Sequence, residues 1–303
     1  MNGPRIFIKR DDQTGLALGG NKTRKLEYLL GDALKQEGVD TLITADAPQS
    51  NHCRQTAAAA QLGLRCELLL KGPRPEKFEG NILLDYLLGA HLHWTMSSDI
   101  QMALIELAEK IRHKGHKPYI IPFGGSNAIG ALGYISAMVE LMTQIKKFPC
   151  NIDYIIFASC SGATQVGLQM GADVTNFLGK VIGISIDSSI SKKNEFQKML
   201  TQLANETSEL LHLSGDYNRD VFSVNYDYAN GYGRVGELER DAILQLARCE
   251  GILLDPVYTG RAFGGLIDMI NKNFFKKNET ILFWHTGGST ALFPYANNLI
   301  KNQ

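Results

Sequence analysis

Cysteine is scarce in this chain and poorly placed for cross-linking. The 303 residues hold five, Cys53, Cys66, Cys150, Cys160 and Cys249. Their number is odd, their spacings are wide and no Cys-x-x-Cys pair occurs, which excludes a disulfide framework and argues against a zinc site. Buried free thiols in a reducing cytosol and no metal are expected. Net charge is also lacking: Lys+Arg and Asp+Glu both number 31. No basic stripe points to nucleic acid and no charged tail is present. The N-terminus has no apolar signal core, and no segment is expected to be long enough to span a bilayer. There is no internal repeat and no low-complexity linker. These absences predict a cytoplasmic protein with a small-molecule partner, rather than nucleic acid or membrane.

What is present is an alternation of short apolar runs and amphipathic stretches. The length allows a large core and predicts two lobes. Strands are expected at 41–45, 66–70, 91–95, 119–122, 154–159, 181–186 and 281–284. Between them, helices are expected at 51–62, 81–88, 100–111, 128–145, 192–204, 238–248 and 264–271, after a first helix that begins near Lys22 and has Gly38 at its C′ position. Strands alternating with helices predict an α/β fold with mostly parallel sheets covered on both faces. Ligands in such sheets bind beyond the carboxyl ends of the strands.

Four loops there can carry chemistry. In Gly19-Gly20-Asn21-Lys22-Thr23-Arg24-Lys25, two glycines allow close approach and Lys22 enters a helix. The helix N-terminus and the cations Arg24 and Lys25 favour a neutral amine, as Schiff-base chemistry needs; the plainer reading is a solvated basic first turn. Gln49-Ser50-Asn51-His52 opens a helix whose N–H groups suit an anion such as a substrate carboxylate, or is simply a cap at Ser50 or Asn51. Ser161-Gly162-Ala163-Thr164 reads as a phosphate cradle, without a Walker lysine or a G-x-G-x-x-G pattern. Tyr258-Thr259-Gly260 and His285-Thr286-Gly287-Gly288 place hydroxyls at strand ends or in turns, and His285 is more easily a core residue than a base. A lysine, a phosphate cradle, an anion site and strand-end hydroxyls together suit pyridoxal phosphate.

Six blocks in order (Ile6–Asp12, Gly19–Tyr28, Gln49–Thr56, Gly124–Gly133, Leu254–Gly260 and His285–Gly288) resemble the D-cysteine desulfhydrase and 1-aminocyclopropane-1-carboxylate deaminase family over essentially the whole chain. The resemblance implies pyridoxal-phosphate enzymes of the tryptophan-synthase β-subunit fold (fold type II) and a homodimer. It implies a larger cofactor lobe of residues 1–24 and 130–303, a smaller lobe of residues 25–129, and an active site in the cleft between them. It implies that Lys22, not Lys25, carries the cofactor, that Asn51 meets the ring hydroxyl, and that Ser161, Gly162, Ala163 and Thr164 hold the phosphate. Thr286 would face the pyridine nitrogen. Ser50, Asn51, His52, Gln49 and Thr259 would form the substrate side, with Ser50, Tyr232 and Tyr258 also catalytic.

His52, Thr259 and Thr286 resemble the desulfhydrase branch, where the deaminases have Gln, Glu and Leu. A hydroxyl at the ring nitrogen makes a weaker electron sink, sufficient to expel thiolate and poorer for opening a carbon ring. The expected reaction is therefore β-elimination of D-cysteine to pyruvate, hydrogen sulfide and ammonia. Deaminase activity, another D-amino-acid lyase, or a cofactor-binding homologue without catalysis are the alternatives. Three departures from the family pattern stand out. Few residues precede Ile6, which suggests a trimmed or late-assigned start. Asp46 and Pro48 replace a glycine and a branched apolar residue, with Asp46 placing a charge near the carboxylate site. Residues Arg234–Glu237 also differ.

Overall fold

The computed structural model describes residues 3–148, 150–187, 190–214 and 216–300, without the side chains of residues 190–192. The chain begins with β1 (Arg5–Arg10) and α1 (Asn21–Lys35). It continues through β2 (Thr41–Asp46), α2 (Asn51–Ala59), β3 (Arg65–Lys71), α3 (Gly80–Leu87), β4 (His91–Thr95), α4 (Ile100–His113) and β5 (Pro118–Ile120). There follow α5 (Ala128–Ile145), β6 (Tyr154–Ser159), α6 (Ala163–Val174), β7 (Lys180–Ser185), α7 (Ile190–Leu210) and β8 (Ser223–Asn225). The last elements are α8 (Glu237–Glu250), α9 (Thr259–Asn271), β9 (Thr280–His285) and a short α10 (Ala296–Leu299).

The strands form two sheets, one of five in the order β1-β9-β6-β7-β8 and one of four in the order β4-β3-β2-β5. Every pairing is parallel. Helices must therefore carry the chain back between strands, which gives the two-sheet α/β architecture expected from the alternation. Both β2 and β9 are buried along their whole length, as strands covered on both faces must be.

Two strands lie outside the expected set. β1 pairs along β9 from Arg5↔Thr280 to Arg10↔His285, and β8 is a three-residue edge. Both are edge strands whose polar residues weaken an apolar-run signal. The α9 helix starts at Thr259 rather than 264, because Asp255 holds its first turn. The α1 helix ends at Lys35, before the Gly38 turn.

The α5 helix corrects one expectation. By length and composition it is apolar enough to cross a membrane. Here it packs against α1 and α6 as a core helix, burying Ala131, Tyr134, Ala137, Met138 and Leu141. Its glycines set the distance: a Cβ on Gly133 would stand 2.2 Å from the Arg24 carbonyl oxygen. Gly167 of α6 is equally tight against Ala131 O, at 2.5 Å.

Candidate active site

The carboxyl ends of β2, β5, β6 and β9 converge on one cleft, where Asp46 at the end of β2 and Phe123, Cys160 and Thr286 in the loops after the other three meet Lys22. The cleft holds about 600 Å³ of space between atoms, including its open mouth.

Lys22 occupies the first turn of α1. Gly19 and Gly20 ahead of it adopt φ of 65° and 127°, and a Cβ on Gly19 would lie 2.1 Å from Asp12 O. Only glycine makes this entry. The Lys22 ammonium donates to Asn21 Oδ1 at 2.9 Å, and Asn21 Nδ2 donates to Thr164 Oγ1 at 3.1 Å. Burial lowers the Lys22 pKa to about 8, with Asp46 and Cys160 pulling it back up and Arg54 pushing it down. The amine is eased toward neutrality as expected, but the cause differs. Arg24 turns away to Asp11 and Glu140, at 2.9 and 2.8 Å, and Asp11 also takes the Tyr134 hydroxyl and the Trp284 indole N–H. Desolvation, with a smaller push from Arg54 and not from the flanking Arg24 and Lys25, depresses Lys22. Lys25 is fully buried and donates to Gly124 O at 3.2 Å, outside the cleft lining.

Ser50 caps α2. Its hydroxyl oxygen accepts from His52 N and Cys53 N at 3.1 and 3.2 Å, and its proton goes to Asp46 Oδ2 at 2.5 Å. Asp46 lines the cleft, and burial raises its pKa against the pull of Ser50, the Ala47 N–H and Lys22. His52 is buried with Nε2 on the Thr44 hydroxyl at 2.9 Å, while Thr44 donates to Ile121 O. Burial, with Lys22 nearby, holds His52 neutral.

The α6 N-terminus faces the same space. Gly162, its N-cap, has φ of 99° and offers no side chain to the first N–H groups. Ser126 Oγ receives Ala163 N at 3.2 Å and donates to Ser161 Oγ at 2.9 Å. Gly124 lies so near that a Cβ there would come within 2.5 Å of Ser161 Oγ and 3.9 Å of Lys22 Cε. This helix start, kept open by glycine at positions 124 and 162, fits a phosphate tethered near an amine.

Tyr258 lines the cleft, and its hydroxyl meets that of Tyr232 at 2.7 Å. Burial raises both pKa values, so both hydroxyls keep their protons at neutral pH. The Tyr232 loop is clamped by Arg261, whose guanidinium donates to the carbonyls of Gly231 and Arg234 and pairs with buried Glu239.

Four of the expected site residues, Thr259, Gln49, Tyr232 and Ala163, do not line the cleft; Tyr232 stands behind Tyr258, and Ala163 follows Gly162 as the first residue of α6. Thr259 is fully buried and exchanges its hydroxyl with Asp255, donating to Oδ1 at 2.7 Å and accepting from Asp255 N at 2.8 Å. It therefore belongs to the turn that starts α9. Gln49 bridges to α3 through Glu79 O and Asn81 N. His285 is a core residue, with Nε2 on Leu253 O and Nδ1 accepting from Gly287 N. Cys160, Gln165 and Phe123 also line the cleft, beyond the residues that the sequence singles out. Cys160 directly follows a strand at its carboxyl end, the position that marks such residues.

A lysine of depressed basicity beside a helix-start anion cradle, set between two parallel sheets, defines an enzyme that holds a phosphorylated carbonyl cofactor through an amine. The chain belongs to the pyridoxal-phosphate dependent enzyme family, whose profile matches residues 1–287. It is 44% identical to the D-cysteine desulfhydrase of Klebsiella pneumoniae subsp. pneumoniae, over 98% of this chain and 90% of that protein. The crystal structure of an ACC deaminase homologue superposes with a TM-score of 0.86 at 39% identity, covering 97% of this chain and 87% of that one. A threonine deaminase from T.th. shares the fold at a TM-score of 0.66 and 14% identity, over 94% and 87% of the two chains.

Proposed function

We propose that this chain is a D-cysteine desulfhydrase, releasing pyruvate, hydrogen sulfide and ammonia. The observation that carries this reading is the near full-length 44% identity to a D-cysteine desulfhydrase, joined to a cleft in which Lys22 and Thr286 both take part. Pyridoxal phosphate, when bound, supplies the electron sink that acidifies the α-carbon of an amino acid.

The chain's own groups divide the remaining work. Lys22 holds the cofactor, and its pKa of about 8 suits an amine that takes and returns the α-proton near neutral pH. The α6 N-terminus, with Ser161, Gly162, Ala163 and Thr164, binds the phosphate. Asn51 meets the ring oxygen, and Ser50 and His52 flank the substrate. The protonated hydroxyls of Tyr232 and Tyr258 act as donors toward the departing sulfur. Thr286 offers a hydroxyl to the ring nitrogen. The nearby carboxylate of Asp255 is occupied by the N–H groups of Val257, Tyr258 and Thr259. A hydroxyl partner favours loss of a good leaving group over ring opening.

The likeness to an ACC deaminase homologue favours deamination of 1-aminocyclopropane-1-carboxylate as the second reading. The decisive assay gives purified holoenzyme D-cysteine, L-cysteine and 1-aminocyclopropane-1-carboxylate in turn. Sulfide and pyruvate from D-cysteine alone are expected. Release of 2-oxobutyrate without sulfide would replace this reading with the deaminase. The homodimer and cytoplasmic location belong to the same proposal; light scattering on the holoenzyme checks the first.

A further inference from the structure

Arg54 is an unusual residue to find in the middle of α2. It is 1% exposed and among the largest fully buried side chains. Burial lowers its pKa to about 10, and buried Asp85 on α3 partly offsets this. Its guanidinium reaches in two directions. Nη1 lies 3.0 Å from Asn51 Oδ1, 2.7 Å from Asn81 Oδ1 and 2.6 Å from Thr290 Oγ1. Nη2 donates to Gly19 O at 3.0 Å, three residues before Lys22. A buried arginine thus touches both the Lys22 loop and Asn51.

The amide of Asn51 has only one orientation that satisfies these neighbours. Its Oδ1 accepts from Arg54 Nη1 and, at 3.1 Å, from Asn81 Nδ2, with the Thr290 hydroxyl at 3.2 Å. Asn81 is fixed in turn, because its Nδ2 also donates to Gln49 O at 2.7 Å. Turning the Asn51 amide over would set its NH2 against a guanidinium and a second NH2, donor against donor. The carbonyl end therefore faces the buried cluster, and the NH2 end is left for the cleft that Asn51 lines.

We propose that Arg54 is a positioning residue for the cofactor, holding the Asn51 amide so that it offers N–H, not C=O, to the ring oxygen of pyridoxal phosphate. The phenolic oxygen of that ring carries negative charge when the cofactor is bound to an amine. A donor stabilises it, and a carbonyl oxygen in the same place would repel it. The inference rests on the reading of Asn51 as the ring-oxygen partner.

The test is a double-mutant cycle on apoprotein titrated with pyridoxal 5′-phosphate, reading the dissociation constant and the pH midpoint of the visible band of the bound cofactor. Asn51→Ala tests the underlying reading alone and is expected to weaken cofactor binding about tenfold. Arg54→Met is expected to weaken it by a similar factor and to move the band's pH midpoint in the same direction. In the Asn51→Ala background, Arg54→Met should change affinity by less than about threefold. If Asn51→Ala leaves affinity and band unchanged, the reading of Asn51 fails. If Asn51→Ala matters but the two effects add, Arg54 acts only on the fold and the proposal is overturned. Should Arg54→Met not fold, Thr290→Val takes its place, since it removes one hydroxyl of the cluster and keeps the guanidinium. It should weaken binding about threefold in the native background and not in Asn51→Ala; an additive or absent effect overturns the proposal.

Discussion

The Ser50 hydroxyl donates to the Asp46 carboxylate across 2.5 Å, at the point where β2 ends and α2 begins. Ser50 thereby serves two structures at once, capping α2 through its lone pairs and neutralising part of a carboxylate that burial disfavours. Lys22 is the cation that Asp46 faces across the cleft, and Cys160, Tyr232 and Tyr258 share the same field.

Asp46 gives a pH dependence of definite sign. Its pKa is raised in the folded protein, so the native state binds a proton that the unfolded chain has already lost. The resulting stability falls as pH rises from the ordinary carboxylate range through the raised value. Asp46→Asn, which still accepts from Ser50, should raise the melting temperature at pH 8 and give no gain at pH 4. The same variant should lower the Lys22 pKa below about 8, because Asp46 is the largest charge raising it. Thermal scans across pH and a titration of apoprotein amine reactivity check both.

The two lysines of α1 should separate cleanly. Lys22→Ala is expected to abolish the visible absorption of the bound cofactor and all turnover. Lys25→Met should keep both, since Lys25 lies outside the cleft lining. Lys25 has a strongly lowered pKa from burial, so the unfolded chain binds a proton that the native state does not. Stability from this group is lost as pH falls from the ordinary lysine value of 10.5. Lys25→Met should flatten that slope in melting curves between pH 6 and pH 10. Absorption in Lys22→Ala, or its loss in Lys25→Met, would exchange their roles.

The tyrosine pair gives a kinetic prediction. With both hydroxyls protonated and 2.7 Å apart, Tyr258→Phe removes the donor that lines the cleft. A roughly hundredfold fall in kcat with D-cysteine is expected, with KM changed much less, as for loss of a group acting in the transition state. Tyr232→Phe, one step further back, should cost about tenfold. Steady-state kinetics with the cofactor saturating decides the order.

Packing gives a prediction independent of catalysis. Gly133→Ala places a Cβ 2.2 Å from the Arg24 carbonyl, a backbone atom that cannot turn aside. The α1 and α5 helices must then separate, at a cost of about 3 kcal/mol. A fall in the urea midpoint at unchanged m-value would record it. Cofactor affinity should weaken as well, because α1 carries Lys22.

Much of the fold is legible from local pattern. The strand His91–Thr95 and the helix Ala128–Ile145 stand at the bounds their apolar spacing indicates, since burial on one stripe or in one short run is written into neighbouring residues. β1 and β8 are not legible in this way. An edge strand is stabilised by its neighbour's backbone, and β1 exists because β9, at the far end of the chain, offers hydrogen bonds to it. Among the site residues, Ser50 is readable as a cap because capping is local. For Thr259 the sequence offers both a turn role and a ligand role, since its partner Asp255 presents the same local sequence whether the hydroxyl faces inward or toward a ligand.

The sequence by itself determined the α/β alternation, the glycines at the Lys22 loop and the order of the motif blocks, because these depend on residue type and spacing along the chain. Only the tertiary structure decided the rest. Burial, not the flanking cations, sets the Lys22 pKa; Arg24 is drawn off to Asp11 and Glu140. Asp46 meets Ser50, and Arg54 meets Asn51, Asn81 and Thr290. Desolvation and hydrogen-bond direction are properties of surroundings assembled from distant segments, and they take their values only when the two sheets close on one cleft.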